Sequence, residues 1–129
     1  MSGWEAYIQS LMGSSDCIKK GAIISGSDGS YWAKSDGFNG SAEELRKLVG
    51  AFEKLDELPS VGFHLEGVKY IVPRTEPNLI FGKQGKTGVF AIKTTQAVII
   101  ACYEGETEKG QECRTAVEKL GEYMATAGY

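Results

Sequence analysis

The sequence predicts an α+β fold in which a central curved antiparallel sheet carries both terminal helices packed against it. Three observations predict it. Apolar residues recur at helical spacing near both ends of the chain. Between them, short β-rich segments follow one another about every ten residues. The 17 glycines are scattered at short intervals, as tight turns between strands require.

Taken in order, Trp4, Tyr7, Ile8, Leu11 and Met12 mark one face of a helix over residues 2–12. Ser2 can cap its first turn, and Gly13 with Ser14 ends it. Ala22-Ile23-Ile24 and Ser30-Tyr31-Trp32-Ala33 flank Gly26-Ser27-Asp28-Gly29 and predict a hairpin. Ser41-Ala42-Glu43-Glu44 is a capping box, in which the Ser41 hydroxyl and the Glu44 carboxylate each satisfy a free backbone N–H. Leu45, Leu48, Val49 and Phe52 extend it into a helix over 42–54, and Pro59 closes the region. Phe63 and Leu65 then alternate with His64 and Glu66. Strands follow at 69–72, after the turn at Gly67, and at 79–81, after Pro77-Asn78. Further strands at 89–93 and 97–103 complete an antiparallel meander. Pro73 lacks a ladder donor and favours an edge or a bulge. Beyond Gly105, Ala116, Val117, Leu120, Tyr123, Met124 and Ala127 form one helical stripe, with Thr107 as its N-cap.

Composition excludes several classes. A chain of 129 residues with 42% hydrophobic and 24% charged residues can bury a core, so disorder is not its main state. No linker or repeat divides it, and one domain over residues 1–129 is expected. The longest apolar run, Ala97 to Cys102, is strand-sized and cannot span a bilayer. The opening MSGWEAYIQSL has neither a basic leader nor an apolar run, so no signal peptide is expected. A net charge of −3 argues against a general nucleic-acid binder. Cys17, Cys102 and Cys113 are odd in number and show no CxxC spacing, which predicts reduced thiols in a cytosolic protein.

The residues give no positive case for an enzyme. Gly82-Lys83-Gln84-Gly85-Lys86-Thr87 imitates a phosphate loop, but Ile80 stands where the loop needs its first glycine. The segment also leads into a strand pattern rather than a helix. His64, the one histidine, has no neighbours at metal-ligand spacing, and no carboxylate pair stands out for acid–base work. No metal or cofactor is expected.

Two other patterns bear on binding. Trp4, Tyr7, Trp32, Tyr123 and Tyr129 lie near the chain ends or at a hairpin end. They read either as core or, if the terminal helices lie side by side, as one shallow aromatic groove. Such grooves receive proline-rich peptides, whose extended helix loses little entropy on binding. From Lys69 to Thr94 there are five bases (Lys69, Arg74, Lys83, Lys86, Lys93) against one acid, Glu76. That segregation suits an acidic partner or lipid headgroups, and it equally suits strand edges guarded by lysines.

The chain resembles the profilin family, the small actin-monomer-binding proteins. Ser2-Gly3-Trp4-Glu5-Ala6-Tyr7 is similar to the family's S-W-x-x-Y start with one residue inserted. Asp28-Gly29-Ser30-Tyr31-Trp32-Ala33 is similar to its D-G-x-x-W-A hairpin. Gly67-Val68-Lys69-Tyr70 and Ile80-Phe81-Gly82-Lys83 match its G-x-K-Y and I-x-G-K segments. Gly110-Gln111 with Val117 to Tyr123 matches its last helix, so the likeness runs the length of the chain in order.

The resemblance implies that the terminal helices share one face of the sheet and smaller helical segments cover the other. It implies a polyproline groove at Trp4, Tyr7, Trp32, Tyr123 and Tyr129, where vertebrate relatives have histidine in place of Tyr123. It implies a second face for monomeric actin. That face would comprise Phe63, Lys69, Val72, Arg74, Lys86, Lys93, Lys109, Gln111, Arg114, Thr115 and Glu118. It also implies phosphatidylinositol bisphosphate binding through Arg74, Lys83, Lys86 and Lys93, weakened here by the acidic net charge. The function implied is non-enzymatic control of actin assembly in the cytoplasm and cytoskeleton. The protein would sequester monomers, promote nucleotide exchange on actin and deliver actin through proline-rich proteins such as formins. From the residues alone, the rival class is a small-molecule sensor, which should enclose a large cavity.

Overall fold

The computed structural model describes residues 4–129, Thr107 by its backbone alone. Elements run α1 (Trp4–Gly13), β1 (Ile18–Ser25), β2 (Tyr31–Lys34), α2 (Ala42–Ala51), α3 (Leu58–Val61), β3 (Phe63–Leu65), β4 (Val68–Glu76), β5 (Leu79–Gln84), β6 (Thr87–Lys93), β7 (Ala97–Glu104) and α4 (Thr107–Thr126). One antiparallel sheet of seven strands has the order β2-β1-β7-β6-β5-β4-β3. The order follows from the chain: hairpins join β3 through β7 in turn, and β1 then lays down beside β7.

Alternation along the central strands divides the core into two layers. Ile23, Ile99, Ala101, Phe90 and Tyr103 face the terminal helices and meet Ile8, Leu11, Cys113, Val117, Leu120 and Met124. Their strand neighbours Ala22, Ile24, Ile100, Val98, Val89 and Ala91 face α2 and α3, meeting Leu45, Leu48, Val49 and Leu58. This is the expected architecture, with α1 and α4 on one face and the small helices on the other. Of the stripe in α4, Tyr123 and Ala127 stay exposed while Ala116, Val117, Leu120 and Met124 are buried.

Three local expectations are corrected. Pro59 opens a helical turn, α3, instead of closing the region, because proline is tolerated at the first positions of a helix. The α4 cap position is Glu106, with no side-chain cap bond, not Thr107. The helix at 42–54 ends at Ala51. The expected cap Ser2 lies outside the described residues. Pro73 sits where the β4–β5 register slips between Ile71 and Arg74, the bulge that its missing N–H favours.

Close packing requires a glycine at 82. A Cβ there would come within 2.5 Å of the Phe63 ring, which stacks on Tyr70 with centroids 5.4 Å apart. At the β3–β4 turn, Glu66 and Gly67 both take positive φ, 55° and 78°, the backbone of a two-residue hairpin turn.

Glu44 holds that turn. Its carboxylate accepts the Ser41 amide of the capping box at 3.0 Å and also the amides of Glu66 and Gly67 at 2.9 and 2.8 Å. Burial opposes its ionisation, but the Ser41, Gly67 and Glu66 amides outweigh it and hold the carboxyl below its ordinary value. Its stabilising contribution is therefore complete above the ordinary glutamate range and is lost as pH falls through the depressed value. Glu44→Ala is expected to cost on the order of 2 kcal/mol, since it strips an ionised acceptor from three amides. Denaturant unfolding at pH 7 and pH 3 checks this: the wild-type advantage shrinks at the lower pH.

Candidate functional site

Where α1, β2 and the end of α4 meet, five rings lie in one continuous cluster. Ile8 and Leu11 anchor α1 to the sheet, which turns Trp4 and Tyr7, one helical turn apart, toward the rim. Trp32 stands on β2 beside the buried Ala33. The Trp4 ring lies 4.7 Å from Trp32, 4.5 Å from Tyr129 and 5.4 Å from Tyr7 between centroids. Tyr7 meets Tyr123 at 5.5 Å, and Trp32 meets Tyr129 at 6.4 Å.

Most of these contacts are edge to face, at 77° to 89°, the geometry that the ring quadrupole favours. In each such contact one ring's edge meets the other's face, which leaves the first ring's own faces free of that partner. Tyr123 is 60% exposed and Tyr129 37%, while the other three are half-buried. Burial, then the neighbouring Tyr123 and Tyr129 phenols, hold the Tyr7 phenol above its ordinary value, so it stays neutral at physiological pH. The cluster consists of aromatic side chains and brings indole N–H and phenol O–H donors.

The second candidate surface is a strip of the same sheet side that the terminal helices leave bare. Helix α4 lies over β6 and β7, and α1 lies over β1 and β2. On β4 and β5, Ile71 is 64% exposed, and its register partner is the exposed Lys83. Arg74 pairs with Phe81 in the same ladder, and Lys69 is exposed two residues before Ile71.

Along the flank of α4, Arg114 forms a bidentate bond to Glu76, both contacts at 2.7 Å. It also lies 3.4 Å from Glu118, and Arg74 approaches Glu76 at 3.8 Å. The Arg114 guanidinium holds the Glu76 carboxyl below its ordinary value. Arg74, Arg114 and Glu118 thus belong to one network centred on Glu76.

Other expected residues do not join this strip. Phe63 and Val72 are 7% and 4% exposed and pack in the α2-side core. The alternation of β3 and β4 turns both inward, away from the strip. Lys93 pairs with Val98, whose side chain faces the α2 layer, so it lies on the opposite side of the sheet from Lys83. It is also about 20 Å from Lys86 along β6, so the four bases expected to share a lipid site do not converge. Lys86, Lys109, Gln111 and Thr115 are exposed near the start of α4. Gln111 and Thr115 edge a cleft shared with Ser14 of the α1–β1 loop and Lys119.

Sequence reading missed Ile71 and Glu76. The parity of β4, with Tyr70 and Val72 buried, exposes Ile71 and could have found it. Glu76 acts across 38 residues, which no local pattern signals.

Two clefts, of about 870 Å³ between α2 and α3 and about 540 Å³ beside α4, both open to solvent. Neither encloses a ligand as the sensor alternative requires. Among the described residues, no cluster of His, Cys, Asp or Glu could hold a metal and no helix is long and apolar enough to cross a membrane. All three cysteines are buried and unpaired. Burial pushes the Cys102 thiol up to about 12, far from a reactive thiolate.

Fold and surfaces together define a small α+β binding module, with an aromatic face at one end and a charged strip of open sheet. The Profilin family model matches residues 2–129, and the chain belongs to the profilin family. It is 46% identical to Profilin-1 of Caenorhabditis elegans over the full length of both. It is 41% identical to Drosophila melanogaster profilin, over 98% of each chain. Schizosaccharomyces pombe profilin superposes with a TM-score of 0.88 at 32% identity, covering 98% of this chain and 99% of that one.

Proposed function

We propose that this protein binds actin monomers on the bare sheet strip and proline-rich segments on the aromatic cluster, and so regulates filament assembly. Family membership supports both activities. The observation that carries the reading is the continuous contact of Trp4, Tyr7, Trp32, Tyr123 and Tyr129 at the junction of both terminal helices. A core explanation does not account for flat rings left open at the surface. Proline rings stack on such faces, and proline-rich chains offer carbonyls to indole and phenol donors.

The actin contacts proposed are Lys69, Arg74, Lys86, Lys109, Gln111, Arg114, Thr115 and Glu118, joined by Ile71. The bases suit an acidic partner. The finer consequences are that the protein sequesters monomers, promotes nucleotide exchange on actin, and delivers actin to growing ends through proline-rich partners such as formins. It acts as one domain in the cytoplasm and cytoskeleton, without catalysis of its own. Phosphoinositide binding, if carried by Arg74, Lys83 and Lys86 without Lys93, is weak against the net charge of −3.

Titration of fluorescently labelled monomeric actin tests the reading. Saturable one-to-one binding with faster release of actin-bound nucleotide is expected. Binding without faster release would retain the actin reading and remove the exchange activity.

A further inference from the structure

The Tyr129 ring closes the aromatic cluster, yet it stands beyond the end of α4 at Thr126, where the helix itself no longer holds the backbone. The turn between β6 and β7 holds it. The Thr94 hydroxyl donates to the Tyr129 backbone oxygen at 2.7 Å, and the Gln96 amide donates to the same oxygen at 2.5 Å. The Gln96 side-chain amide donates to the Gly128 oxygen at 3.0 Å. The Tyr129 amide in turn donates to Met124 at 2.8 Å, folding the segment back on the helix. Thr94 is itself fixed: its hydroxyl accepts the Ala97 amide at 3.1 Å.

Two further bonds anchor this turn, the first of them to the hairpin that carries part of the cluster. The Gly26 amide donates to the Gln96 oxygen at 2.9 Å, linking the turn to the β1–β2 hairpin that carries Trp32. The Lys93 amide donates to the Asn78 oxygen at 2.9 Å, linking it to the β4–β5 turn. One polar turn therefore sets the position of the Tyr129 ring relative to Trp4 and Trp32.

We propose that Thr94 and Gln96 are positioning residues for the proline-rich ligand, acting through Tyr129 and touching no ligand themselves. The proposal rests on the reading of the aromatic cluster as the ligand site. Loss of one such bond lets the last residues swing away, and the ligand must then order them on binding.

The test is a double-mutant cycle with a synthetic decaproline peptide, read by tryptophan fluorescence. Thr94→Val is expected to weaken peptide binding about threefold to tenfold, the range of one hydrogen bond's net worth. Thr94→Ser keeps the hydroxyl and should stay within about twofold of wild type. In a Tyr129→Leu background, Thr94→Val should change affinity by less than about twofold, because the ring it positions is gone. A full Thr94→Val loss that persists in that background overturns the proposal.

Gln96→Ala leaves the Thr94 turn bonds intact and removes one strap bond. It guards against misfolding of the Thr94 variant and should reproduce a smaller loss, again only when Tyr129 is present. Unchanged peptide affinity in both Thr94→Val and Gln96→Ala also overturns the proposal. If Trp4→Ala binds the peptide as well as wild type does, the ligand-site reading fails instead, and the strap fails with it.

Discussion

Replacing Trp4 by alanine lowers affinity for a proline-rich peptide at least about tenfold, the cost of truncating a hot-spot aromatic near 2 kcal/mol. Trp4 is the hub of the cluster, in direct contact with Tyr7, Trp32 and Tyr129. Its removal takes away one stacking face and one indole donor, and frees three rings to reorient. Stability should fall less than for Leu11→Ala. Leu11 is fully buried, whereas Trp4 is half-buried at the first described residue of α1. Tyr129→Phe keeps the ring and should cost less than Trp4→Ala. Peptide titration and thermal unfolding of the same variant separate binding from core. A large drop in melting temperature with unchanged affinity in the folded fraction would mean that Trp4 is only core.

Charge reversal of the bare strip is the second large effect. Lys69, Arg74 and Lys86 are all exposed, and their joint change to glutamate should weaken actin binding on the order of a hundredfold at low salt. The loss should shrink as salt rises, since exposed charges are screened beyond about 8–10 Å at physiological ionic strength. Arg114 is left out of this variant because its two 2.7 Å bonds to Glu76 would be lost with its charge, whereas Arg74 approaches Glu76 only at 3.8 Å. Affinity for the proline-rich peptide should change less than about twofold, because distant sites act independently. Parallel loss of both activities in a folded variant would contradict separate faces.

What was legible in the sequence was what local chemistry writes. Ser41 and Glu44 form the capping box that their spacing predicts. Asp28 accepts from the Ser30 amide at 2.9 Å, as a turn aspartate should. Pro73 sits at a register slip, in keeping with the edge or bulge that a missing ladder donor favours in a sheet. The aromatic cluster was legible as a set, because rings at both chain ends have few places to go if the end helices share a face.

What was not legible depended on parity and distance. The resemblance assigns Phe63 to the actin face, although its alternation with His64 sets it on the inward side with Leu65. Val72 was expected beside it, yet the same alternation buries Val72 and exposes Ile71. Lys93 joined a basic run in the sequence but left it in space, because neighbours along a strand face opposite ways. Four residues form α3, too few for any helical period to show. Glu76 and Thr94 act on groups 38 and 35 residues away, which sequence spacing does not encode.

Simultaneous binding is the most direct measurement of two separate faces on one domain. A decaproline peptide is titrated by calorimetry into the free protein and into the protein saturated with monomeric actin. The account predicts one peptide per protein in both titrations, with affinities within about twofold of each other, since the aromatic cluster and the bare strip share no residue. Exclusion of the peptide by actin, or release of actin by the peptide, would contradict it.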